Sequence, residues 1–297
     1  MSNPLRHAPL AAALALATAL AGCTTTGGTA GPEAAASAAQ AERATAEAID
    51  RALAGAHRSE ANRARDRYRN PKETLQFFGL RQDMTVMEVW PGAGGWYTEV
   101  LAPVLRDRGR YVAAGWDPKS EMKFIQDSNR AFQTKLDSNP EVYGKVQVAA
   151  LQAPNALTPV PPGTVDLVLT FRNLHNWMAR EEMAPAMLKA IHDALKPGGV
   201  LGVVDHRADP KAPVDPRAKS GYVNERHAIE LIEAAGFEFV GSSEVNANPK
   251  DTRDHEQGVW TLPPTLRLGD RDRARYLAIG ESDRFTLKFR KPVAAKK

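Results

Sequence analysis

The sequence predicts an α/β fold with a doubly wound, mostly parallel sheet, and three observations carry this prediction. Short apolar segments of strand length alternate with amphipathic segments of helix length along most of the 297 residues. A glycine-rich turn follows the first of these strands directly. The composition, with 43% hydrophobic and 25% charged residues, is ordinary for a folded protein, and a net charge of +4 is too small to indicate nucleic-acid binding.

Strand and helix signals alternate in a regular order. The predicted strands are 84–90, 109–115, 146–151, 166–171, 200–205, 237–245 and 284–290. The predicted helices among them are 96–105, 183–195 and 228–235. The turn Lys196-Pro197-Gly198-Gly199 is expected to close the second of these helices, because glycine and proline both stop a helix.

The glycine turn after the first strand reads Pro-Gly-Ala-Gly-Gly over residues 91–95. Strand, glycine turn and helix form the opening of a Rossmann-like unit, in which the backbone can approach a ligand closely. A nicotinamide cofactor would call for a third glycine at position 97, where Tyr97 stands, so an oxidoreductase is the weaker interpretation.

Glu88, Gly92 and Gly94 match the first motif of class I S-adenosylmethionine-dependent methyltransferases, with Trp90 at the motif's first glycine position. Residues 66–71, 90–97 and 172–177 also resemble a group of predicted, often exported, methyltransferases. The resemblance covers residues 72–292. It implies a seven-stranded sheet whose last strand is antiparallel and lies beside the fifth, and it implies S-adenosylmethionine as the cofactor.

The resemblance places the cofactor at the carboxyl ends of the strands. The residues it implies as cofactor-binding are Glu88, Gly92, Ala93, Gly94, Asp117 and Gln152. Gly115 stands where the family has an acid for the ribose, so Asp117 is the substitute, or else a turn aspartate before Pro118. Gln152 would accept from the adenine amino group, or it is a simple loop residue.

The segment after the fourth strand is rich in side chains that can do chemistry. His175 is a candidate general base, and His206, at the end of the fifth strand, is a second one. Arg172, Asn173 and Asn176 are expected to orient a polar substrate. Asp205 with the two histidines lacks a recognised ligand spacing, so no metal is predicted.

The amino terminus resembles the signal of bacterial lipoproteins. An uncharged run of about 12 residues, too short to span a bilayer, ends in Leu-Ala-Gly before Cys23, the one cysteine in the chain. The resemblance implies acylation of Cys23, with palmitate among the acyl chains, and an anchor that faces the periplasm, at the outer membrane because Thr24 is not an aspartate.

The domain organisation follows from these signals. The predicted segments are a signal peptide at 1–22, a flexible tether at 23–40, an N-terminal helical cap at 41–71, a methyltransferase-like domain at 72–292 with an insertion at 246–282, and a basic tail at 293–297. Two functions are expected: an exported, lipid-anchored methyltransferase acting on a small molecule or an envelope component, or a non-catalytic binding or scaffold protein that retains the fold. The second stays open because S-adenosylmethionine is made in the cytoplasm.

Overall fold

The computed structural model describes residues 31–293. Contacts between Cα atoms divide the chain into two units, Met1–Ala38 and Ala39–Lys297. The described residues of the first unit, 31–38, contain the start of helix α1, which spans Pro32–Ala54. The signal peptide, Cys23 and the last four residues of the basic tail lie outside the described residues.

The predicted tether boundary is wrong for its second half. Residues 32–40 are helical rather than a flexible tether, because alanine-rich sequence favours helix and Pro32 stands at the first helical position, where proline is tolerated. The other helices are α2 (Glu60–Arg63), α3 (Asp66–Arg69), α4 (Pro71–Phe78), α5 (Thr98–Leu105), α6 (Lys123–Asp137), α7 (Pro140–Tyr143), α8 (Leu174–Met178), α9 (Met183–Ala194), α10 (Glu225–Ala234) and α11 (Arg273–Ile279). No described helix is long and apolar enough to cross a bilayer.

Within residues 31–293, seven strands form one sheet in the order β3-β2-β1-β4-β5-β7-β6. The strands are β1 (Thr85–Val89), β2 (Arg110–Gly115), β3 (Gln147–Ala150), β4 (Val165–Phe171), β5 (Leu195–His206), β6 (Glu238–Ser243) and β7 (Arg284–Arg290). Strand β7 runs antiparallel to both of its neighbours, β5 and β6, and the remaining pairs are parallel. The predicted fold class, including the single antiparallel strand beside the fifth, is confirmed.

The two faces of the sheet bury two separate hydrophobic clusters. In β1, Val86 belongs to one cluster and Met87 to the other, and in β2 Tyr111 and Val112 divide in the same way. Helices α4, α5 and α6 cover the face of Val86, while α8, α9 and α10 cover the face of Met87. This alternation follows from the two-residue period of a strand and makes the sheet doubly wound.

Two features of the fold differ from the sequence expectation. Strand β5 begins at Leu195, which pairs with Val165, and regular pairing resumes only at Val200. Residues 196–199, expected to be a helix-closing turn, therefore form a bulge within the strand. Helix α6 was not predicted, because its apolar face consists of little more than Ile125, Phe132 and Leu136 in a mainly polar window.

Candidate active site

The loop between β1 and α5 forms an open backbone cradle. Gly92 has φ +74°, a conformation that favours glycine, and no atom lies within 4 Å of the place where a Cβ would stand. Gly94 also has open space at its Cβ position, but its φ lies outside the left-handed region. Ala93 between them is exposed. The predicted cofactor loop is therefore free to receive a ligand against its backbone.

Trp90 explains why the first glycine of the motif could be lost. Its φ is +52°, so the backbone keeps the left-handed conformation that glycine usually supplies. The indole Nε1 donates to the carbonyl of Leu151 at 2.7 Å, and the ring packs against Trp116 and Trp177 with centroid distances of 5.6 and 6.0 Å. These contacts of a large aromatic side chain offset the cost of the strained backbone.

A cavity of about 330 Å³ opens beside this indole, and we call it the aromatic cavity. Its walls include Trp90, Trp116, Phe124, Gln152 and Asn176. Gln152 and Asp117 also line a neighbouring cavity of about 690 Å³. The carboxyl ends of β1, β2 and β3 thus carry one continuous aromatic and polar surface, where a doubly wound sheet binds its ligand.

The structure brings Asp117 and Gln152 together. The Oε1 of Gln152 accepts the Asp117 backbone N–H at 2.9 Å, and Oδ1 of Asp117 accepts the Lys119 N–H at 2.9 Å. Asp117 therefore has the turn role described above, and its Oδ2 remains available to a ribose hydroxyl. Their roles toward the cofactor stay predictions.

Glu88 lies beneath the loop rather than in it. The side chain is 3% exposed, and its Oε2 accepts from the Tyr111 hydroxyl at 2.5 Å. The same hydroxyl shares a hydrogen bond of 2.9 Å with Thr98 at the start of α5. Burial raises the pKa of Glu88 to about 7, against the hydrogen bond from Tyr111 and the charge of Arg172, which lower it. Glu88 consequently ties β1 to β2 and α5 under the cradle.

Replacing Glu88 with glutamine is expected to remove a pH dependence of stability. Because the pKa is raised from 4.5 to about 7 on folding, the folded protein holds a proton that the unfolded chain has released between these values. The free energy of unfolding of the wild type should therefore fall as pH rises through this window, by on the order of 3 kcal/mol.

Urea unfolding from pH 4 to pH 8 measures this effect. The Glu88→Gln curve should lack the fall and lie above the wild type at pH 8, while Glu230→Gln, on the exposed face of α10, should follow the wild type. Parallel curves for wild type and Glu88→Gln would show that Glu88 is not the titrating group.

The end of β5 and the start of α8 form a histidine–aspartate pair. Nδ1 of His175 lies 2.8 Å from Oδ1 of Asp205, and both groups are buried. Asp205 also accepts the backbone N–H groups of His175 at 3.1 Å and His206 at 2.7 Å. Because an ionised carboxylate only accepts, Nδ1 of His175 carries the hydrogen and Nε2 keeps the lone pair that a general base needs.

His206 has a different environment. Its Nδ1 lies 2.5 Å from the hydroxyl of Ser282, and its pKa is held well below the usual range by burial and by the charge of Arg284. It is therefore neutral at pH 7. The sequence named the two histidines together, and the structure gives the carboxylate partner to His175.

His175, Asp205 and His206 place one ligand atom each within 4.8 Å of one another, a spacing that a metal ion could use. Two observations favour another role. Both oxygens of Asp205 already accept hydrogen bonds from these two residues. Arg172 and Arg284 line the same cavity, and their positive charge disfavours a cation there.

The polar residues predicted after β4, Arg172, Asn173 and Asn176, have three different environments. Arg172 has φ +61°, and its guanidinium lines a cavity together with His175. Asn173 is buried, and its amide donates to the Val89 carbonyl at 2.9 Å and to Thr170 at 3.2 Å, so it fastens α8 to β1 and β4. Asn176 is exposed and lines both the aromatic cavity and the cavity of Arg172.

The second of these cavities has a volume of about 340 Å³, and we call it the arginine cavity. Its walls include Arg65, Arg69, Arg172, His175, Trp260 and Arg284. Sequence reasoning missed Arg65, Arg69 and Arg284, and it gave Asp205 no catalytic part, because these residues lie far apart along the chain. A larger cavity, about 1120 Å³, lies elsewhere along α10, and its Arg207 is already paired with three carboxylates.

Comparisons with known proteins agree with this architecture. Residues 91–203 match the family model described as a methyltransferase domain. A solved S-adenosylmethionine-dependent methyltransferase from Aquifex aeolicus is similar, with a TM-score of 0.52, 17% identity, and coverage of 77% of this chain and 93% of that one. The [4+2]-cyclase SpnF is similar with a TM-score of 0.51, 18% identity, and coverage of 76% and 82%. No match was found among curated proteins.

The family match identifies a methyltransferase domain over residues 91–203, which implies S-adenosylmethionine as the cofactor, and the solved structures show the same fold. The predicted enzyme class and cofactor are confirmed at this level. At such identities the two solved structures support the fold alone, and one of them is named as a cyclase. The reaction of this chain has to be argued from its own site.

Proposed function

We propose that this protein transfers a methyl group from S-adenosylmethionine to a small acceptor bound in the arginine cavity. The observation that carries the proposal is that the aromatic cavity and the arginine cavity share Asn176. One cavity opens beside the strand ends where this fold binds its cofactor, and the other contains the histidine with a carboxylate partner. A two-substrate transfer needs two adjoining binding spaces of this kind.

The residues present fit the cofactor at the glycine loop. Gly92 and Gly94 leave the backbone open, and a Cβ with a longer side chain at either position would enter that space. Trp90, Trp116 and Gln152 offer an aromatic and hydrogen-bonding wall for the adenosine part. When bound, S-adenosylmethionine supplies an electrophilic methyl group on a sulfonium.

His175 is the residue we propose as general base. Asp205 holds its Nδ1–H, so Nε2 is free to take the proton from an acceptor hydroxyl or amine as its lone pair forms the bond to the methyl carbon. The carbon–sulfur bond breaks at the same time, and its electrons stay on sulfur. Asp205 positions the imidazole and stabilises the charge that it gains, as carboxylate–histidine pairs do in other enzymes.

The cofactor step is tested by titrating the full-length chain in detergent with S-adenosylmethionine. Calorimetry should show saturable binding, and the intrinsic fluorescence should change over the same range because Trp90 and Trp116 line the aromatic cavity. Absence of both signals at millimolar cofactor would overturn the methyltransferase proposal. It would favour the alternative of a binding or scaffold protein that retains the fold.

We further propose that the protein is exported and anchored by lipid on Cys23, on the periplasmic face of the outer membrane. The support is the sequence pattern of a short apolar run before the one cysteine of the chain. An anchored enzyme would act on a small molecule or an envelope component close to the membrane.

Replacement of Cys23 with serine is expected to abolish lipid attachment. Cells fed an alkyne analogue of palmitate should label the wild-type chain and leave the Cys23→Ser chain unlabelled, because serine offers no thiol for a thioether. Membrane fractions should lose the variant as well. Equal labelling of both chains would contradict the anchor.

A further inference from the structure

The arginine cavity gathers four guanidinium groups from distant parts of the chain. Arg65 and Arg69 come from the start and end of α3, Arg172 follows β4, and Arg284 begins β7. No carboxylate is among the described residues that line the cavity. The remaining walls include His175 and the apolar surface of Trp260. Such a lining is suited to an anion with an apolar body.

The carboxylate of Glu281, which is not among the residues that line the cavity, contacts three of these arginines. Oε1 of Glu281 lies 2.6 Å from Nε of Arg65, and Oε2 contacts Nε of Arg69 at 3.2 Å and a terminal nitrogen of Arg284. Burial alone would raise the pKa of Glu281, but Arg284 and Arg69 hold it well below the usual range. Glu281 is therefore a full negative charge, and it is shared three ways.

Arg172 has no such partner. In the described part of the chain, no carboxylate lies within 4.0 Å of its guanidinium, and its side chain makes no hydrogen bond. Burial and the charge of Arg284 lower the pKa of Arg172 to about 10, which still leaves it protonated at pH 7. The side chain is half-buried at the wall of the cavity, so the guanidinium is open to a ligand that supplies the opposite charge.

Two further donors in the wall lack partners. Nη1 of Arg69 and Nε of Arg284 are buried without a hydrogen bond, and both residues are 3% exposed. Buried charged donors are normally satisfied in native proteins, so these two nitrogens in residues that line the cavity favour a bound molecule that supplies acceptor atoms. Guanidinium groups match the paired oxygens of carboxylates and phosphates in geometry as well as in charge.

We propose that the arginine cavity binds the carboxylate or phosphate group of the methyl acceptor. The identification of the bound molecule as the methyl acceptor rests on the proposed function, but the anion site itself does not. The volume of about 340 Å³ fits a small molecule or one end of a larger one. The oxyanion lies against Arg69, Arg172 and Arg284, and His175 in the same cavity then faces the nucleophilic group of that molecule.

The test is calorimetry of the full-length chain with inorganic phosphate and, separately, with acetate, in a buffer free of other oxyanions. We expect saturable binding of at least one of them with a Kd of about 1 mM or tighter. Binding of phosphate alone indicates a phosphorylated acceptor, and binding of acetate alone indicates a carboxylate. Failure of both to bind would overturn the inference.

Arg172 gives the decisive variants, because it does not hold Glu281 in place. Arg172→Gln should weaken anion binding at least about tenfold, and Arg172→Lys should retain part of it. Arg130→Gln is the matched control, because Arg130 lies exposed on α6. Unchanged binding in a folded Arg172→Gln chain would place the anion elsewhere and overturn the inference.

Repeating the anion titration with saturating S-adenosylmethionine distinguishes an acceptor site from a site for the carboxylate of the cofactor. It also separates failure of the anion site from failure of the proposed function. Anion affinity should be unchanged in the presence of S-adenosylmethionine, whereas direct competition would show that the arginines bind the carboxylate of the cofactor and would overturn the acceptor site. A chain that binds phosphate but not S-adenosylmethionine contradicts the proposed function and leaves the anion site standing. A chain that binds the cofactor but neither anion contradicts only the anion site.

Discussion

Replacing Gly94 with leucine is expected to abolish S-adenosylmethionine binding and leave the fold intact. The φ of Gly94 lies outside the left-handed region, and no atom is within 4 Å of its Cβ position. The new side chain therefore meets neither backbone strain nor a clash, and it fills the space where the ligand would approach. We expect at least about a hundredfold loss of cofactor affinity, because the glycine loop works only through close backbone approach.

Gly241→Leu is the matched control for this variant. Gly241 lies in β6, also has open space at its Cβ position and also lacks a left-handed φ. The free energy of unfolding of each variant should lie within about 1 kcal/mol of the wild-type value, as is usual for surface substitutions. Gly92→Leu should be less stable than the wild type by about 1–2 kcal/mol, because the φ of +74° at this position disfavours a side chain. Wild-type affinity in Gly94→Leu would place the cofactor away from this loop.

The second large effect is expected at Asp205. Asparagine at this position keeps the shape, but an NH₂ group in the place of Oδ1 meets both Nδ1–H of His175 and the backbone N–H of His206. His175 can restore a hydrogen bond only by moving its hydrogen from Nδ1 to Nε2, which removes the lone pair needed for base catalysis. Methyl transfer should fall by about 10²–10⁴-fold, the range for loss of a general base.

Nitrogen NMR of the imidazole tests the tautomer without knowledge of the acceptor. The wild type should show hydrogen on Nδ1 of His175, and Asp205→Asn should show it on Nε2. Asp251→Asn is the control, because Asp251 is also a buried carboxylate, bonded to His255 and Tyr222. Both variants should lose about 1–3 kcal/mol of stability. A His175 tautomer unaffected by Asp205→Asn would contradict the positioning role.

The positions of the strands along the chain were predictable from sequence because each strand is a local signal. Strands β1, β4 and β7 were placed to within one residue at each end, since buried strands are short, apolar and bounded by turns. Strand β5 was predicted to start five residues late, because a bulge that depends on pairing with β4 cannot be seen in the strand's own residues. Helix α6 was not predicted because only four of its fifteen side chains are buried and the rest of the segment is mainly polar.

The residues of the candidate site also fall into two groups, those that local sequence indicates and those that only folding brings together. The glycine loop, His175 and Arg172 could be named as candidates because they stand at strand ends, which a doubly wound sheet gathers at one edge. The residues that surround them in the folded chain were not predicted. Arg69 and Arg284 are 215 positions apart in numbering, yet both contact Glu281, and no local pattern connects them.

The class of fold, the glycine loop and the pattern at Cys23 are visible in the sequence, because each depends on residues adjacent in the chain. Three further features appear only after folding: Trp90 keeps a left-handed backbone and donates to Leu151, His175 has a carboxylate partner, and an arginine cavity adjoins the aromatic one. Charge, burial and hydrogen-bond partners are properties of groups brought together by folding, and they fix what a site can bind.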